Sequence, residues 1–148
     1  MKPNALAIAV ASGRIGYVYL IGGELRDWGI SVVASRSLEA AKEKAEELFL
    51  IYRPQLIVTE ELTLHTRKSG RTIQNIQIIE EAAQKTDAHH ITVERVQHYA
   101  NKYIEMKGLA KKYPVLENWM PSKRKLWESE DRRATIWEAL VLVDCFKV

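Results

Sequence analysis

Residues 5–34 read ALAIAVASGRIGYVYLIGGELRDWGISVVA, and this stretch sets the architecture. Ala5 to Ala11 is a continuous apolar run, the pattern of a strand covered on both faces. Ser12-Gly13 interrupts it. Arg14 to Ile21 is rich in β-branched and aromatic residues, which favour strands. Gly22-Gly23 supplies a two-residue hairpin turn, because glycine takes positive φ without steric cost. Glu24 to Ala34 returns as a third strand, Trp28, Ile30 and Val32 alternating with Asp27, Gly29 and Ser31. Three meandering strands thus open the chain.

Downstream, strands and helices alternate. Ser37 is a good N-cap for an amphipathic helix over Glu39 to Ile51, with Leu38, Ala41, Ala45, Leu48 and Phe49 on its apolar face. Arg53-Pro54 ends it. Leu56-Ile57-Val58-Thr59 is a short buried strand closed by Glu60-Glu61. A helical crossover before this strand predicts that it runs parallel to the first. A polar loop, Leu62 to Gly70, leads to a helix over Thr72 to Lys85 striped by Ile73, Ile76, Ile78, Ile79 and Ala82. Ile91-Thr92-Val93 is a fifth strand, Val96 to Met106 a helix stopped by Gly108, and Leu109 to Lys125 a basic segment. Asp131 to Phe146 forms the last helix, facing Ala134, Trp137, Leu140, Val141 and Val143 inward.

The 148 residues fit one domain, 1–148, with a real core. A net charge of +3 permits a nucleic-acid partner without demanding one. The single cysteine, Cys145, excludes an internal disulfide and fits a reducing compartment. No apolar run approaches the roughly 20 residues that span a bilayer. The expectation is a cytoplasmic protein with no membrane partner.

Three antiparallel strands feeding a parallel pair, with helices on both faces, predict an α/β fold with a ribonuclease H-like mixed five-stranded sheet. Ile8-Ala9-Val10-Ala11-Ser12-Gly13-Arg14-Ile15-Gly16-Tyr17 resembles the opening motif of RuvC-type Holliday junction resolvases, in which a first-strand catalytic Asp precedes a Gly-Tyr pair. Pro54 to Glu60 is similar to their next motif, an apolar strand ending in a catalytic Glu. Glu138-Ala139-Leu140 looks like their closing Asp-Ala-Leu. Three departures stand out: Ala9 falls where the family has its first Asp, Glu138 where its closing motif begins with Asp, and Thr135 where it has a companion Asp; only Glu60 matches outright.

The resemblance implies a Mg²⁺- or Mn²⁺-dependent endodeoxyribonuclease acting on branched DNA in recombination, working as a homodimer. It implies Glu60 and Glu138 as catalytic carboxylates and metal ligands, with Asp131 a further candidate ligand as a substituting acid. Hard oxygen ligands suit such ions, but a methyl group at Ala9 cannot coordinate a cation. Asp27, Glu61, Glu94 and Asp131 are the acids available to substitute. The alternative is a catalytically inactive DNA-binding or assembly module on the same fold. Arg67, Lys68 and Arg71 follow the Glu60 strand, and Lys123, Arg124 and Lys125 crowd the C-terminal third, where each cluster can grip phosphates. Tyr113, Trp119 and Trp127 offer stacking surfaces. His89, His90 and His98 lack zinc spacing, and His65 reads as a loop residue near the site.

Overall fold

The computed structural model describes residues 2–63, 68–94, 102–120 and 133–146. Strands β1 (Ala5–Ala11), β2 (Arg14–Ile21) and β3 (Glu24–Ser31) form the opening meander. Gly22 and Gly23 turn between the last two at φ 60° and 86°, the left-handed region that a side chain would resist. Helix α1 (Leu38–Tyr52) crosses over to β4 (Leu56–Glu60), and α2 (Gly70–Gln84) leads to β5 (His89–Val93). Helix α3 (Lys102–Lys112), a 3-10 turn (Pro114–Trp119) and α4 (Ala134–Phe146) complete the described chain. The sheet order is β3-β2-β1-β4-β5. β1 is antiparallel to β2 and parallel to β4, as the crossover requires.

The central strand has two unlike faces. Leu6, Ile8 and Val10 join a cluster with Ala41, Ala45, Leu48, Phe49, Ile76 and Ile79 of α1 and α2. Ala5, Ala7 and Ala9 face the other way, beneath Ala134, Trp137, Leu140 and Val141 of α4, with Met106, Leu109 and Leu116 beyond. The alanines let a helix sit close to the strand. Gly16 extends that seat on β2: a Cβ there would lie 2.7 Å from the Thr135 carbonyl carbon and oxygen.

Local signals account for the helix starts. Ser37 Oγ accepts the Ala40 N–H at 3.0 Å and Ser69 Oγ the Thr72 N–H at 3.3 Å, each satisfying an orphan donor of a first turn. Arg53 closes α1 in the left-handed region at φ 43°, its N–H bonding the Phe49 carbonyl.

Several boundaries move. Gly108 does not stop a helix; α3 runs through it, because Met106, Leu109 and Tyr113 on either side bury into the α4-side core. Leu38 is exposed rather than inward. On α2 the polar Thr72 and Asn75 are buried, where a purely apolar stripe is expected. Third-strand pairing ends at Ser31, and the Ser31 hydroxyl then accepts the Ala34 N–H. Among the described residues no helix is long and apolar enough to cross a membrane.

Candidate functional site

The parallel ladder between β1 and β4 runs only from Ala5–Leu56 to Ala7–Val58, whereas β1 stays paired with β2 as far as Ala11–Arg14. Beyond Val58 the two strands part. Strand alternation places Ala9 and Glu60, each two residues past the last pair, on the α4 side. Helix α4 brings Glu138 and Leu142 over the gap. Ala9, Val10, Glu60, Lys68, Glu138 and Leu142 line the resulting cleft, whose free volume is about 10 Å³. That is about the space of one water. The two carboxylates expected from separate motifs therefore share one corner, and Ala9 is 6 % exposed at its floor.

The cleft also holds a cation. Lys68 Nζ donates to the Val10 carbonyl at 3.0 Å and lies 3.4 Å from Glu60 Oε2. The Val10 carbonyl sits past the end of the β1–β4 ladder, and the ammonium takes the place of a neighbouring strand. Both charged side chains are mostly withdrawn from water, at 27 % and 18 % exposure. Lys68 directly precedes Ser69, the N-cap of α2, so a helix start fixes where its stem begins.

Thr135, one helical turn before Glu138, is fully buried, and its hydroxyl accepts the Arg14 Nε–H at 2.7 Å. This hydrogen bond joins α4 to β2. Asp27 is no substitute carboxylate: it pairs across from Tyr19, on the α1 side, and accepts the Tyr52 hydroxyl. Burial, then that bond, pushes the Tyr52 phenol well above its usual range. Glu61 and Glu94 are exposed and do not line the cleft. Arg71, in the first turn of α2, donates to the Arg36 carbonyl at 2.8 Å. Asp131, Arg67, Lys123, Arg124, Lys125, His65, His98 and Trp127 lie outside the described residues.

A second polar cluster occupies the opposite face of the same strand end. Thr59, 2 % exposed, has its hydroxyl 2.8 Å from His90 Nε2. Burial raises the Glu80 carboxyl above its ordinary value, opposed by a hydrogen bond to Thr59. Burial, then the neighbouring His89, pushes the His90 imidazole down. The sequence reading missed this group. Its signal was a threonine in an apolar strand, on the same face as a histidine of the next strand.

Comparison with solved structures now bears on this geometry. Thermus thermophilus RuvC superposes with a TM-score of 0.62 at 12 % identity, over 93 % of this chain and 89 % of that one. The fold is that of the RuvC-type resolvases. Fowlpox virus resolvase, solved with its substrate Holliday junction DNA, gives 0.60 at 10 % identity over 92 % and 93 %. The yeast mitochondrial Holliday junction resolvase gives 0.64 at 10 % over 97 % and 78 %. No family model and no curated protein sequence matches the chain.

The RuvC-like corner does not fit a two-metal centre with its described side chains. Magnesium needs near-octahedral oxygen ligation at about 2.0–2.1 Å. Here one wall is a methyl group, and an ammonium holds Glu60 and Val10. Among the described residues, no three His, Cys, Asp or Glu side chains gather where they could hold a metal ion.

Proposed function

We propose that this RuvC-like protein binds branched DNA without cutting it. The observation that carries the reading is the corner itself: Ala9 at the floor, Glu60 and Glu138 on the walls, and Lys68 between strand and carboxylate. Phosphodiester hydrolysis at neutral pH needs an activated water and a stabilised leaving oxygen. With a methyl group at position 9 and an ammonium on Glu60, the corner's described side chains bring few free oxygens to such chemistry. The fold supports the substrate class, since a fold-mate is solved on a Holliday junction.

Arg71, Arg67, Lys123, Arg124 and Lys125 are the proposed phosphate contacts. Lys68, turned into the carboxylate corner, contributes to the local potential rather than to a direct grip. A homodimer, also proposed, would match the symmetry of a four-way junction. The competing reading is a Mg²⁺- or Mn²⁺-dependent endonuclease with Glu60, Glu138 and Asp131 as its acids. The convergence of Glu60 and Glu138 favours it.

One experiment separates the two. A labelled four-way junction and a linear duplex of equal length are titrated with wild type and Glu60→Gln, with and without Mg²⁺ or Mn²⁺. The expected result is junction-selective binding that weakens as salt rises, with no incision by either protein. Metal-dependent incision that disappears in Glu60→Gln establishes the nuclease. Equal affinity for junction and duplex removes the branched-DNA reading.

A further inference from the structure

We infer that Lys68 is a tethered counter-ion that stands where a divalent metal would otherwise bind and closes the Glu60–Glu138 corner to such ions. The inference takes its functional meaning from the non-cutting reading above. Its physical basis is independent of DNA.

Two observations converge. The first is position. The ammonium touches the two kinds of oxygen that a hard cation would seek at a sheet end: a carboxylate, Glu60 Oε2 at 3.4 Å, and a main-chain carbonyl, Val10 at 3.0 Å. The second is room. About 10 Å³ remains in the cleft, enough for one water and not for a hydrated divalent ion beside the lysine. Position 9 brings only a methyl group to the same lining, so a divalent ion would gain no oxygen there in exchange for displacing the ammonium.

The lysine is also held where it acts. Its backbone abuts the Ser69 cap of α2, and its Nζ reaches the end of β1, so the side chain spans from helix start to strand end. Burial makes the pair mutually dependent. Removing one member of a shielded ion pair leaves the other poorly solvated, and that demand is met by recruiting another cation.

The test is a Mn²⁺ titration of the whole chain without DNA, following the electron paramagnetic resonance signal of free Mn²⁺. Wild type and Lys68→Arg, which keeps the charge, are expected to leave millimolar Mn²⁺ unbound. Lys68→Ala is expected to bind one Mn²⁺ at least about tenfold more tightly, a difference of about 1.4 kcal/mol. Adding Glu60→Gln should abolish the gain, and adding Ala9→Asp should increase it. Should Lys68→Ala fail to fold, the Ala9→Asp/Lys68→Ala protein is used, and Mn²⁺-dependent recovery of its fold supports the inference. Stoichiometric Mn²⁺ binding by wild type that is lost in Glu60→Gln overturns it. So does a Lys68→Ala or double variant that takes up no more Mn²⁺ than wild type. Loss of junction selectivity with these metal results unchanged would count against the DNA reading alone.

Discussion

Thr59 and Glu60 are consecutive residues at the end of β4, and they serve opposite sides of the sheet. Glu60 enters a corner with Lys68 and Glu138, where an ammonium pairs with its carboxylate. Thr59 enters a pocket with His90 and Glu80, where burial pushes the histidine towards neutral and the acid towards its protonated form. Both strand-end clusters are polar and shielded, but only the first is bordered by the methyl group of Ala9. The lesson concerns what surrounds a shielded group: around the Thr59 hydroxyl, burial pushes His90 and Glu80 towards their neutral forms, whereas Glu60 meets an ammonium.

The most disruptive way to break the comparison acts on the α4 side. Gly16→Ala would drive a methyl group against the Thr135 backbone, and a backbone atom cannot rotate away. Overpacking of this kind should cost about 3 kcal/mol and lower the melting temperature by roughly 6–12 °C. The same change should shift Glu138 relative to Lys68 while leaving the His90 resonances in place. If the His90 resonances move as much as those around Glu138, the two sides are not separable.

A smaller effect should come from the other face. Thr59→Val keeps the shape and removes the hydroxyl that both His90 and Glu80 use. Leaving shielded polar groups without it should cost about 1–2 kcal/mol in a urea titration. Mn²⁺ behaviour on the Glu60 side should stay as in wild type.

The smallest expected effect is a pH slope set by the Thr59 side. His90 has a folded value below its ordinary 6.5. Its contribution is full above about 6.5 and is lost as pH falls through the lowered value. Glu80 has a folded value above its ordinary 4.5, so its contribution is present below about 4.5 and lost as pH rises through the raised value. Urea midpoints followed from about pH 4 to 8 should lose the acid-side decline in His90→Asn and the opposite decline in Glu80→Gln. An unchanged profile in both variants would mean that neither group titrates in the folded protein.

Much of this was legible in the chain. The Gly22-Gly23 turn, the apolar run from Ala5 to Ala11 and the helix between β3 and β4 determine a meander followed by a parallel crossover. Each signal acts locally or through handedness. The convergence of Glu60 and Glu138 was also readable, through motif order. The sequence offers Lys68 as a phosphate contact; its reach to Glu60 and the Val10 carbonyl depends on where the β1–β4 ladder ends, a long-range fact with no local signature. Gly108 misled for a related reason: a glycine inside a helix is tolerated when its neighbours are buried, and burial is decided by α4. Asp27 was offered as a spare acid, but strand alternation against Tyr19 turns it to the α1 side.

The seated ammonium makes positions 9 and 68 a coupled pair. Substitutions that share a cleft do not act independently. An aspartate placed at 9 would meet a lysine already bound to the neighbouring strand end, so its cost or benefit depends on which residue stands at 68. A screen that varies either site by itself would therefore misjudge the other.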